Sequence, residues 1–118
     1  MTDKQKELEQ TPAIEPVNVS EYQAETEKTA VYPSPFYPYF ALVEEVGELY
    51  GKFARMFRGD KEKFTEDQMK SEMGDIMWNI AQICELRGWS LEDIMRDNLN
   101  KLQARQEADT LKGSGDDR

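Results

Sequence analysis

The chain contains no histidine. That absence removes imidazole general bases, histidine-ligated zinc and every Ser-His or Cys-His nucleophile system. The lone cysteine, Cys84, cannot form an intramolecular disulfide, so nothing demands an oxidising compartment. No run approaches the roughly 20 apolar residues of a membrane span. The opening Met1–Gln10 also lacks the apolar core of a signal peptide. Basic residues are in deficit: 15 Lys and Arg stand against 24 Asp and Glu, a formal net charge of −9. Such a balance argues against wrapping nucleic acid or docking on anionic lipid. The expectation is a cytoplasmic protein with no nucleic-acid and no membrane partner. A polyphosphate ligand would be repelled too, unless cations stand between it and the carboxylates.

What is present is a soluble, helix-leaning composition in 118 residues, with 38% hydrophobic and 33% charged side chains. One domain fits this length, with a small core and little stability in reserve. Residues 1–17 are polar, interrupted by Pro12 and Pro16, and carry no helical stripe; they are expected to form a flexible arm. Residues 18–108 carry the helical pattern, and residues 109–118 read as a polar, glycine-containing tail.

Within 18–108 the periodicity predicts an antiparallel bundle of about four helices, an all-α fold. Ser20 with Gln23 has the form of a capping box and places a first helix over about 20–32. The Tyr32–Tyr39 segment holds Pro33, Pro35 and Pro38, so it is a stiff aromatic connector. A second helix is expected from about Pro38 to Phe57, its core stripe being Phe40, Val43, Val46, Tyr50, Phe53 and Phe57. Thr65 with Gln68 opens a third helix over about 66–87, which Gly88 ends. Its stripe runs through Met69, Met73, Ile76, Ile80 and Ile83. Ser90 with Asp93 starts a fourth helix that fades around Ala108.

One set of acids stands apart from the solvated majority. Glu45 and Glu48 are one helical turn apart beside an apolar stripe, with Glu44 adjacent, and Glu72 and Asp75 repeat that spacing on the third helix. Packed antiparallel, the two helices can bring both pairs face to face. Converging carboxylates repel each other, and no Lys or Arg interrupts either run. A hard divalent cation, Mg2+ or Mn2+, relieves that repulsion with oxygen ligands alone. Spacing alone leaves two readings standing, a metal site and two ordinary solvated helix faces.

The run Glu44-Glu45-Val46-Gly47-Glu48, a gap, and Glu72-Met73-Gly74-Asp75 resembles the E-E-x-x-E … E-x-x-D signature of MazG-like all-α nucleotide pyrophosphohydrolases. The resemblance covers about Tyr22 to the C-terminus. It takes in Tyr32-Pro33, Asp75-Ile76-Met77-Trp78, Gly88-Trp89-Ser90-Leu91-Glu92-Asp93-Ile94 and Asn98-Leu99-Asn100-Lys101, with Arg105 beyond. The closing Gly113–Arg118 looks like the tail of small stand-alone MazG-like proteins of bacteria and phages. The resemblance implies that Glu45, Glu48, Glu72 and Asp75 are Mg2+ ligands, with Mn2+ a substitute. Glu44 would support a ligand or orient the attacking water. Lys101 and Arg105 match positions that contact phosphates, and Asn98 stands one turn before Lys101. Lys52 is either a further phosphate partner or an ordinary surface lysine. Trp78 is placed to line a base pocket, as are Tyr37, Tyr39 and Phe40 from the connector, although helical spacing favours a core role for Phe40, Phe53 and Phe57.

The implied reaction is Mg2+-dependent hydrolysis of a nucleoside or deoxynucleoside triphosphate to monophosphate and pyrophosphate, serving nucleotide-pool sanitation or adjustment. A homodimer or homotetramer is implied as well, and a partner subunit would bury Leu42, Leu49, Met77 and Cys84. The alternative is a non-catalytic acidic helical module that only mediates interactions.

Overall fold

A computed structural model describes residues 14, 15, 17–60 and 64–108. Helix α1 spans Val19–Thr26 and passes into a 3-10 turn, Glu27–Thr29; α2 spans Tyr37–Arg58, α3 Glu66–Arg87 and α4 Leu91–Glu107. Among the described residues there is no strand, so the all-α expectation holds. The tail and all but Ile14, Glu15 and Val17 of the arm lie outside the described residues.

Local chemistry sets most boundaries. Thr65 accepts the Gln68 backbone N–H while the Gln68 side chain accepts that of Thr65, the reciprocal pair expected at the start of α3. Ser90 accepts the Asp93 N–H at 3.2 Å and opens α4. Helices α2 and α3 end on Gly59 and Gly88, with φ of 89° and 71°, a left-handed conformation in which a side chain would be strained. The first helix departs from expectation. Its cap is Asn18, whose Oδ1 accepts the Glu21 N–H at 2.9 Å, while Ser20 donates instead to Glu92 of α4. It also stops short of Tyr32. Thr26 and Thr29 donate their hydroxyls back to the carbonyls of Gln23 and Thr26, and the chain tightens into the 3-10 turn.

Helices α2 and α3 run antiparallel, because ascending positions on α2 meet descending ones on α3. Glu45 lies near Asp75, Lys52 pairs with Glu72, and Phe53 meets Phe64 just before α3. The apolar core is small and lies where α1, α3 and the start of α4 meet. Ala81, Cys84 and Leu91 are buried there, with Val19, Tyr22 and Ile80 against them. Cys84 is therefore covered by its own chain, not reserved for a partner, and burial pushes its thiol pKa up. Leu42, Leu49 and Met77 are half-buried.

Beside this core runs a buried polar chain. Tyr32 donates to Gln82 Oε1 at 2.5 Å, and Gln82 Nε2 donates to Thr26 Oγ1 at 2.7 Å. Gln23 donates to the Trp89 carbonyl and accepts the Leu91 N–H, each at 2.8 Å. These bonds tie α1, the connector, α3 and α4 together with every side-chain amide satisfied, which a buried network requires.

The facing of α2 corrects the sequence reading. Phe40, Val43 and Phe57, expected in the core, are 73%, 72% and 81% exposed, and Tyr50 is exposed too. Phe53 is half-buried, stacked on Phe57 and edge-on to Phe64. On α3, Met73 also faces out. The face of α2 that meets α3 carries Pro38, Ala41, Glu45, Leu49 and Lys52, so Glu45 turns inward while Phe40, Val43, Tyr50 and Phe57 turn outward.

Candidate metal centre

Three of the carboxylates meet at the α2–α3 contact, Glu45, Glu72 and Asp75, and Glu48 is not among them. One oxygen each from Glu45, Glu72 and Asp75 lies within 4.8 Å of the others. Glu45 and Glu72 are half-buried and Asp75 is exposed. Burial raises the Glu45 pKa to about 7, reinforced by a shared hydrogen bond with Glu72 and by the charges of Asp75, Glu48 and Glu72. Glu48 thus stands within electrostatic reach, although its own side chain is exposed, and Glu44 is exposed beside it.

Two buried acceptors have no donor among the described residues, Glu72 Oε2 at this contact and Asn79 Oδ1 further along α3. Asn79 sits one turn past Asp75 and donates its amide to the Asp75 carbonyl at 2.9 Å. A buried carboxylate oxygen without a donor is costly; a proton shared with Glu45 relieves that cost in the metal-free chain, and a cation would do so when bound. The donor set is carboxylate oxygen, without imidazole or thiolate, which suits a hard divalent ion. The residues present therefore fit Mg2+ or Mn2+. Lys52 sets its ammonium 3.2 Å from Glu72 Oε1, leaving the other oxygen of that carboxylate unpaired. Tyr22 of α1 lies within electrostatic reach of Asp75; burial, then the charge of Asp75, raises its phenol pKa.

One turn from Asp75, Trp78 donates its indole N–H to Thr29 Oγ1 at 2.8 Å and lies edge-on to Tyr32, with ring centres 6.2 Å apart. Tyr32 stacks with Tyr37 at 5.4 Å. These rings line a cavity of about 340 Å³ with Thr29, Val31 and Pro33. Of the other aromatics considered for a base pocket, Phe40 points outward and Tyr39 lies 6.0 Å from the Arg87 guanidinium. Asn98 and Lys101 line a separate hollow on α4 with Ile94 and Asp97, and Arg105 follows one turn on, half-buried. Sequence reasoning missed Asn79, Tyr22, Thr29 and Phe64 as neighbours of the site. Asn79 was readable from its four-residue spacing to Asp75; the others arrive through tertiary packing.

The model of the MazG nucleotide pyrophosphohydrolase domain matches residues 39–109, a span that holds both carboxylate pairs and the Asn98–Arg105 segment. The Gene 37 protein of Mycobacterium phage L5 is 32% identical over 114 residues, covering 86% of this chain and 100% of that protein. The uncharacterized protein YvdC of Bacillus subtilis (strain 168) is 35% identical over 82 residues, covering 62% of this chain and 76% of that protein. No solved structure matches. The family points to nucleotide pyrophosphohydrolase activity, and the phage relative is a small stand-alone protein. By this match and the helical fold that carries it, the chain belongs to the MazG nucleotide pyrophosphohydrolase domain family.

Proposed function

We propose that the chain hydrolyses nucleoside or deoxynucleoside triphosphates to the monophosphate and pyrophosphate, with Mg2+, or Mn2+ in its place, held by Glu45, Glu48, Glu72 and Asp75. One observation carries this reading: three carboxylates converge within 4.8 Å, and Glu72 Oε2 is buried there without a donor. When bound, the ion supplies charge neutralisation toward the triphosphate and acidifies water. Glu45, Glu72 and Asp75 hold their oxygens on two facing helices, while exposed Glu48 completes the set from the next turn. Glu44, adjacent and exposed, orients the attacking water. Lys52 is a tethered cation already at the site, in reach of phosphate when it leaves Glu72. Asn98, Lys101 and Arg105 offset the charge that moves onto pyrophosphate.

Self-association belongs to the same proposal, as a homodimer or homotetramer. The outward stripe of Phe40, Val43, Tyr50 and Phe57 supports it, since monomers rarely leave such a continuous apolar face to water. Among the described residues no helix is long and apolar enough to cross a membrane, which agrees with the proposed cytoplasmic location and role in nucleotide pools.

The test is pyrophosphate release from each of the common ribo- and deoxynucleoside triphosphates, in Mg2+ and in EDTA. Release from at least one of them, abolished by EDTA, is expected. Absence of release from all would favour the non-catalytic module.

A further inference from the structure

Lys52 lies one turn beyond Glu48 and two turns beyond Glu45 on α2, so a basic side chain stands in line with the acids of that helix. Its ammonium takes Glu72 Oε1 at 3.2 Å and leaves Oε2 buried without a donor. A dication on Oε2 would face that ammonium across a single carboxylate, and like charges at so short a separation repel. Glu72 therefore holds a second cation well only once the first has moved. The two side chains differ in freedom to move. The Glu72 side chain is 14% exposed, whereas that of Lys52 is 26% exposed and carries its charge on a flexible four-carbon stem. The Phe64 ring, with its centre 5.2 Å from the ammonium, offers a second resting face off the carboxylate.

We infer that Lys52 stands in for the metal at Glu72 and releases that carboxylate when phosphate oxygens draw its ammonium away, so that divalent metal and polyphosphate are loaded cooperatively. The inference rests on the proposed hydrolase reading and adds to it a control over when the carboxylates take their ion. Without phosphate, the ammonium offsets part of the local negative charge and holds divalent affinity down. A polyphosphate chain offers the ammonium another anionic partner, and the exchange frees Glu72 when a bridging cation is wanted. Linkage makes the effect reciprocal: with metal on the carboxylates, Lys52 is already displaced and available to phosphate. An acidic chain of net charge −9 thereby avoids idle capture of a cation and still gives a polyanion a foothold.

The test reads binding by calorimetry, on wild type and Lys52→Met. Mg2+ is titrated alone, and inorganic tripolyphosphate is titrated in EDTA and again in saturating Mg2+. Complexation of Mg2+ by tripolyphosphate in solution is the same for both chains and drops out of the comparison. Lys52→Met should bind Mg2+ alone about tenfold tighter, the scale of one charge-assisted hydrogen bond. It should bind tripolyphosphate about tenfold more weakly in saturating Mg2+ and nearly unchanged in EDTA, so the coupling between the two falls about tenfold. Lys52→Gln, which keeps a polar head without the charge, should behave in the same way. Equal weakening of both tripolyphosphate titrations would make Lys52 a plain phosphate contact and overturn the inference. Unchanged or weaker binding of Mg2+ alone in both variants would overturn it too. A chain that hydrolyses triphosphates while its coupling ignores Lys52 contradicts this inference alone. One that shows the coupling but releases no pyrophosphate contradicts the proposed activity alone.

Discussion

Lys52 reaches from α2 to α3 and holds its ammonium 3.2 Å from Glu72 Oε1, over the Phe64 ring at 5.2 Å from its centre. It is a cation set beside the carboxylates, and both partners are largely shielded from water. Lys52→Met should therefore lower metal-free stability by about 2 kcal/mol, the scale of a hydrogen bond to a charged group. It should also tighten Mg2+ binding, because the ion no longer competes with a tethered ammonium for Glu72. Thermal melts in EDTA and calorimetric titration with Mg2+ check the two halves. Weaker Mg2+ binding in the variant would show that Lys52 supports the site rather than competing for it.

Glu45 makes the site sensitive to pH. Burial and neighbouring carboxylates raise its pKa from 4.5 to about 7. Between those values the folded chain keeps a proton that the unfolded chain has released. The stability this contributes is complete below the unfolded value and is lost as pH rises through the folded one. Metal-free melting temperature should thus fall from about pH 5 to about pH 8, and Glu45→Gln should flatten that fall. Mg2+ must displace the same proton, so its affinity should rise over the same window. Affinity independent of pH would remove Glu45 from the ligand set.

Gln82 is 2% exposed and joins Tyr32 to Thr26. Gln82→Leu leaves both hydroxyls facing an apolar side chain, at a cost of about 1–3 kcal/mol. Urea unfolding should show the loss at unchanged slope. A variant as stable as wild type would mean that water satisfies both groups.

Much of the fold was legible because its signals are local. Thr65 with Gln68, Ser90 with Asp93, and Gly88 act on backbone groups within four residues of themselves, and they stand where expected. The face of α2 was not legible. Phe40, Val43, Tyr50 and Phe57 recur at helical spacing, but spacing says only that they share a side, not what lies opposite. What lies opposite is α3 with Glu72 and Asp75, and Glu45 of α2 turns toward it. That Glu72 and Asp75 share a face of α3 was readable because the i, i+3 spacing is itself local; Glu48, which shares that spacing with Glu45, stays exposed. The Lys52–Glu72 pair and the Trp78–Thr29 bond needed the packed helices.

Lys101 and Arg105 lie on α4, where Lys101 borders a hollow separate from the carboxylates. If they contact phosphate in the proposed reaction, Lys101→Ala should lower kcat/KM by about a hundredfold, or roughly 2–4 kcal/mol. Arg105→Lys should also be impaired, because a point charge does not reproduce a bidentate fork. Neither change should alter Mg2+ stabilisation of the substrate-free chain. Rates within about twofold of wild type for both would take α4 out of the reaction.

The most direct measurement is product identity by phosphorus NMR, for wild type and for Asp75→Asn with triphosphate and Mg2+. Monophosphate and pyrophosphate in equal amounts from wild type, and no turnover by a folded Asp75→Asn, are the predicted result. Diphosphate with orthophosphate, or wild-type turnover by Asp75→Asn, would contradict pyrophosphohydrolysis at these carboxylates.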